Sequence, residues 1–185
     1  IIHCVPDILG YNIYNGHAVK AEGDGFAFIP KYPGFPRTAL KWPVTPEVMN
    51  WGVRFLQERY GRPGYITENG LSCNDRIYLD GKVHDIERID FLARYLDALR
   101  RAMAAGADVR GYFHWSLTDN FEWHSGYCDR FGLIFVDNSA ICEELKNLWE
   151  PDGIHVMKSF YPKWGKNLAV AALEEGGIVY EEASA

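Results

Sequence analysis

The sequence predicts an α/β fold in which short parallel strands alternate with covering helices. Three observations predict it. Apolar runs rich in Val, Ile, Tyr and Phe alternate with segments whose apolar residues recur every three or four positions. Glycine and proline punctuate the joints between them. One strand-like run, Gly64-Tyr-Ile-Thr-Glu-Asn-Gly70, ends on a carboxylate and turns away at Asn69-Gly70, and α/β sheets place their chemistry at the carboxyl ends of strands. The order strand, loop, helix, strand, helix, strand is that of repeated βα units, which build a parallel sheet with helical cover.

Each element has its own signal. Ile8 to Tyr14 reads as a buried strand closed by the turn Asn15-Gly16. The chain opens directly in apolar β-formers, as expected of a portion of a protein rather than a whole one. From Gly16 to Pro46, glycines and prolines predict a long loop of the kind that forms lids and binding rims. A helix follows, with Thr45 as N-cap, Pro46 at its first position, Glu47 at the positive end of its dipole and Gly61 as its stop. Its expected inner face is Val48, Trp51, Phe55 and Leu56.

After the Glu68 strand, residues 71 to 84 are polar and loop-like, with Asp75, Asp80 and Asp85 expected as turn and cap residues. The spacing of Ile89, Leu92, Leu96, Leu99 and Met103 predicts a helix from about Asp85 to Ala105, ended by Gly106. Arg88, Asp90, Arg94, Asp97 and Arg100 are expected on its solvent side. A third strand is expected over Val109 to Ser116, and Gly132 to Asp137 as a further extended piece. Two domains follow: residues 1–137, bearing the strands, and an extension over 138–185, expected to be helical and packed on the same domain.

Composition narrows the function. Of 185 residues, 48% are hydrophobic, enough for a substantial core. A net charge of −6 without a basic block argues against nucleic acid and anionic membrane surfaces as partners. Cys4, Cys73, Cys128 and Cys142 form no Cys-x-x-Cys pair and no zinc spacing with the histidines, so free thiols and no metal are expected. His114 and His124 beside Asp119 lack ligand spacing too. No basic-plus-apolar leader, long apolar span or Asn-x-Ser/Thr sequon occurs, and a cytoplasmic location is the expectation.

A parallel sheet gathers three strand ends: Asn12 and Tyr14, Glu68, and Trp115 with the loop behind it. A carboxylate that attacks a sugar carbon must be ionised and held by a donor, which Tyr14 supplies. Trp115 suits the apolar face of a pyranose, Glu122 is of the type that accepts from two hydroxyls of one sugar, and Trp123 has an indole N–H to donate.

The same residues carry a resemblance. Ile66-Thr-Glu-Asn-Gly70 resembles the nucleophile motif of the family 1 glycoside hydrolases, the β-glucosidases and their relatives. Asp7-Ile-Leu-Gly-Tyr-Asn-Ile-Tyr14 is similar to their Asp-Phe-x-Gly-x-Asn-x-Tyr strand. Gly111 to Trp123, followed by Gly126 to Asp137, is similar to their last-strand block. Three motifs in the family's order are specific, and together they cover residues 6 to 137.

The resemblance implies the C-terminal part, strands six to eight, of a (β/α)8 TIM barrel. It implies a retaining β-glycosidase that cleaves β-linked glucosides or galactosides through a covalent glycosyl-enzyme intermediate. Glu68 would be the nucleophile, Tyr14 its hydrogen-bond donor and Asn12 a support of the same shell. Trp115 would floor the sugar subsite, Glu122 and Trp123 grip its hydroxyls, Phe131 pack the pocket wall and Trp42 line the leaving-group side. No cofactor is implied. The family's phospho-sugar branch has a small hydroxyl residue before the tryptophan, whereas Glu122 would repel phosphate, so an unphosphorylated sugar is implied.

The chain departs from the family in one respect. Retention also needs a general acid about 5 to 5.5 Å from the nucleophile. The family carries it in an Asn-Glu-Pro motif, and no such triplet occurs in these residues. Three strands cannot close a barrel, so a complementary N-terminal portion or self-association is expected. The alternative reading is a catalytically silent sugar-binding or structural barrel fragment.

Overall fold

A computed structural model describes residues 6–135; the expected extension over 138–185 lies outside the described residues. In chain order the elements are β1 (Leu9–Asn12), β2 (Val19–Glu22), β3 (Gly25–Phe28), α1 (Glu47–Tyr60), β4 (Gly64–Asn69), α2 (Ile86–Ala104) and β5 (Val109–His114). Two compact units divide between Ser116 and Leu117. All seven elements belong to the first.

The sheet is parallel, in the order β1-β4-β5. Leu9 pairs with Gly64 and Asn12 with Glu68, so β1 and β4 end level. Asn69 pairs with His114, which brings the end of β5 alongside. The three strand ends expected to gather are therefore neighbours in one sheet. Gly70 lets them close up: a Cβ there would lie 1.7 Å from the Trp115 carbonyl oxygen, so any larger residue would force the backbones apart.

The segment 16–46 is not wholly a loop. β2 and β3 pair as an antiparallel hairpin, Glu22 opposite Gly25, with Gly23 at φ +56° in the turn. Gly23-Asp24-Gly25 between two short alternating runs is the signal that names it. The hairpin's phenylalanines, Phe26 and Phe28, are exposed and meet edge to face with ring centroids 5.6 Å apart.

Both helices form where expected, yet each is turned about its axis from the expected face. In α1 the fully buried residues are Met49 and Val53, with Val48 and Leu56 partly buried against the same core, while Trp51 and Phe55 are more than half exposed. The Thr45 hydroxyl accepts from the Gly16 amide at 2.9 Å instead of capping the helix, a tertiary donor displacing the local one. Gly61, at φ +59°, ends α1 with its N–H on the Gln57 carbonyl, as expected.

α2 carries two apolar stripes, and the core keeps Leu99 of the expected one while taking its other residues from the second. Phe91, Tyr95, Ala98, Leu99 and Ala102 are buried, whereas Ile89, Leu96 and Met103 are exposed. The winning stripe has a stacked pair, Phe91 on Tyr95 at 3.8 Å, and then two alanines small enough for close approach. It also includes Arg88, expected in solvent and found 2% exposed. A buried guanidinium persists only when paired. Here Asp75 receives it through two bonds of 2.6 and 3.2 Å, and Asp85 bonds the same group, so Asp75 serves as a counter-ion rather than a turn residue, while Asp85 holds the expected N-cap position of α2 and turns its carboxylate to Arg88 instead of capping with it.

In the second unit, residues 117–135 are arranged around Asp119, 3% exposed. Its carboxylate accepts from the Gly132 amide at 2.9 Å and pairs with Arg130 at 3.2 Å. A Cβ on Gly132 would lie 2.5 Å from the Asp119 nitrogen, so this approach also requires glycine. The expected strand from Gly132 amounts, among the described residues, to a single parallel bridge between Thr118 and Ile134.

Candidate active site

Tyr14 and Glu68, 54 positions apart in sequence, meet at the sheet's carboxyl edge: the Tyr14 hydroxyl donates to Glu68 Oε2 at 2.7 Å. Both residues are half-buried. Trp42 packs against the Tyr14 ring edge to face, with centroids 5.1 Å apart, and closes the Tyr14 side of the pair. Trp115 follows β5 directly. Its amide donates to the Asn69 carbonyl at 2.9 Å, one residue beyond Glu68, and its bond to Ser116 is cis.

Asn12 lies elsewhere. It faces Glu68 in register, but its side chain is exposed and accepts from the Thr67 hydroxyl at 2.8 Å, so it belongs with Thr67 and not with the carboxylate. Adjacent strand residues point to opposite faces, which separates Thr67 from Glu68.

Two residues that sequence reasoning passed over build the site from beneath. Asn69, expected only to begin a turn, is the last residue of β4 and fully buried. Its Nδ2 donates to the Ile13 carbonyl and its Oδ1 accepts from the Tyr112 hydroxyl, both at 2.8 Å. Tyr95 of α2 donates to the Tyr14 carbonyl at 3.1 Å and accepts from the Thr45 amide at 2.8 Å. Burial pushes the Tyr112 phenol up to about 12 and raises that of Tyr95, so both stay protonated donors at neutral pH. A periodic pattern marks such tyrosines as core and hides the hydroxyl's task.

Within the second unit, Glu122 accepts from the Asn120 amide at 2.6 Å, and its backbone closes a tight turn with Gly126 through two bonds of 2.8 Å. Trp123 is exposed, and Phe131 is buried at 1% exposure. Asp119, weighed above with two histidines, is committed to Arg130 and Gly132. His114 is half-buried behind β4 with both ring nitrogens shielded and no hydrogen-bond partner among the described residues.

Cys73, Asp75 and Asp85 bring potential metal-ligand atoms within 4.8 Å of one another. Arg88 already occupies both carboxylates, and a cation there would have to displace it. Burial raises the Cys73 thiol to about 12, far from the thiolate that binds metals or attacks carbon. Among the described residues no helix is long and apolar enough to cross a membrane.

The family model for glycosyl hydrolase family 1 matches residues 7–147, three-quarters of the chain. The chain belongs to that family. Among family 1 relatives, it is 42% identical over 138 residues to beta-glucosidase A of Thermotoga maritima, an alignment covering 72% of this chain and 30% of the relative. It is 57% identical over 148 residues to beta-glucosidase 47 of Arabidopsis thaliana, covering 72% of this chain and 26% of that one. The solved family 1 β-glucosidase from Thermotoga maritima superposes with a TM-score of 0.64 at 32% identity, over 94% of this chain and 36% of that one. The same enzyme in complex with isofagomine lactam gives 0.64 at 37%, over 87% and 34%. The chain thus spans about a third or less of the length of the relatives it matches, and its fold neighbours are TIM barrels.

Proposed function

We propose that the protein to which this chain belongs is a retaining β-glycosidase, and that residues 6–137 are the C-terminal part of its barrel, strands six to eight, bearing the nucleophile. The observation that carries this reading is the 2.7 Å hydrogen bond from Tyr14 to Glu68 at the level ends of two parallel strands. An ionised Glu68, with one oxygen held by the phenol, attacks the anomeric carbon. The C1–O bond to the aglycone breaks, and the leaving oxygen takes a proton from a general acid supplied outside these residues. Water then attacks the glycosyl-Glu68 ester, losing its proton to the same group, and frees Glu68.

The substrate is an unphosphorylated β-glucoside or galactoside. Trp115 floors its ring, Glu122 and Trp123 bind its hydroxyls, Trp42 lines the leaving-group side beside Tyr14, and Phe131 backs the wall. The remaining strands come from a complementary barrel portion or from self-association. The relatives' names, β-glucosidases in bacteria and a plant, support the substrate class.

The test is Glu68→Gln in the full-length protein with an aryl β-glucoside. Loss of a covalent nucleophile lowers kcat on the order of 10⁴-fold or more. A 2-deoxy-2-fluoroglucoside should add one glycosyl mass to the wild type, on the peptide containing Glu68, and none to the variant. Near-normal turnover by Glu68→Gln, or a label on another peptide, defeats the reading.

A further inference from the structure

We propose that Asn69 is a positioning residue for Glu68: its carboxamide, held by Tyr112, fixes the Ile13–Tyr14 peptide so that the Tyr14 hydroxyl meets the carboxylate. The inference rests on the reading of Glu68 as nucleophile and explains how its partner is aimed.

Tyr14 lies two residues past the end of β1, where no ladder holds the backbone. Its side chain leaves the Cα in a direction set by the two peptide planes that flank it. Each plane is pinned by a buried side chain. Before Tyr14, the Ile13 carbonyl accepts from Asn69 Nδ2 at 2.8 Å. After it, the Tyr14 carbonyl accepts from the Tyr95 hydroxyl at 3.1 Å. The Ile13 amide is tied as well, to the Glu68 carbonyl at 2.9 Å. Consecutive residues of β4, Glu68 and Asn69, thus hold the two sides of Ile13, and the phenol that follows is delivered to the carboxylate of the first of them.

An amide can perform this task only one way round. Its donor must face the Ile13 carbonyl, since an oxygen there would place two acceptors together. The Ile13 carbonyl, which only accepts, sets that orientation, and Tyr112 holds the amide in it by satisfying the oxygen on the other side: its hydroxyl donates to Asn69 Oδ1 at 2.8 Å, and burial keeps that phenol protonated. Aspartate at position 69 has no donor for Ile13 and would set a second negative charge next to Glu68. Asparagine with a phenol behind it therefore meets both requirements, which neither the turn propensity of Asn-Gly nor core packing demands.

The experiment is a double-mutant cycle in the full-length protein, with rates on an aryl β-glucoside normalised to active sites titrated with a 2-fluoroglycoside. Tyr112→Phe keeps the ring and removes the hydroxyl that holds the amide. We expect kcat to fall about tenfold with KM within about twofold, the pattern of a misaimed nucleophile rather than of lost binding. In a Tyr14→Phe background the same change should cost less than about twofold, because the group being aimed has gone. If Tyr112→Phe fails to fold, Asn69→Ser carries the same cycle. An unchanged kcat, a change confined to KM, or an undiminished loss in the Tyr14→Phe background overturns the proposal. Failure of the nucleophile reading is a separate result, seen as turnover that survives Glu68→Gln.

Discussion

Glu68 and Glu122 are both half-buried carboxylates, and they are held by opposite means. The partner of Glu68 comes from 54 residues away, and the residue after Glu68 is braced to Ile13, just past β1, and to Tyr112 of β5. Glu122 is bonded by Asn120, two residues earlier, in a turn that closes on Gly126. A group assembled by distant segments exists only when the whole sheet does, so its geometry reports global folding. A group set by its own turn depends on a few neighbouring backbone bonds. The difference suits the proposed roles, since an attacking atom needs fixed geometry whereas a hydroxyl-binding loop tolerates adjustment.

The largest effect that would test this contrast, after removal of Glu68 itself, comes from Arg88. Arg88→Ala leaves the carboxylate of Asp75, 8% exposed, without its counter-ion, and Asp85 partly so. Breaking a buried pair from one side costs about 3–5 kcal/mol. Urea unfolding of the full-length protein should show that loss, with turnover falling at temperatures the wild type tolerates. An unfolding midpoint within error of the wild type would mean that the long-range frame around β4 does not depend on this pair.

Glu122→Gln is the counterpart on the locally built side. It exchanges a charged acceptor for a neutral one and leaves the turn's backbone bonds intact. Hydrogen bonds to a charged group are worth about 1.5–3 kcal/mol, so KM should rise roughly 10- to 100-fold, with the unfolding midpoint unchanged. A loss in kcat at constant KM would show that Glu122 acts on the transition state alone. A drop in stability would show that its turn is not self-supporting.

The same contrast explains what could be read from the sequence. Glu68, Tyr14 and Trp115 were legible because strand ends in a parallel sheet must converge, and that rule needs only the strands' order. The helix faces were not. Ile89, Leu96 and Met103 repeat as well as Phe91, Tyr95 and Ala102 do, and periodicity cannot say which stripe meets the sheet. Arg88 was assigned to solvent because its counter-ion Asp75 lies 13 positions away, across the loop before α2. The hairpin was hidden by the glycines that make it. Asn69 was read from its local preference for turns, while its task is set by Ile13 and Tyr112, which propensity does not see.

His114 gives the smallest effect and the one most specific to the frame around β4. Burial is the main cause that lowers its imidazole from 6.5 to about 4, and the positive charge of Arg88 adds to it. The folded protein therefore keeps the ring neutral between these values, while an unfolded chain takes up a proton near 6.5. Below that pH the unfolded state binds more protons, so stability falls with the pH until about 4, where both states are protonated. His114→Phe keeps a ring in place and removes both the titration and two nitrogens without hydrogen-bond partners among the described residues. Its unfolding midpoint should match or exceed that of the wild type near pH 7 and decline less between pH 6.5 and 4. Equal declines in the two proteins would place the pH dependence on other groups and leave the histidine ring as packing alone.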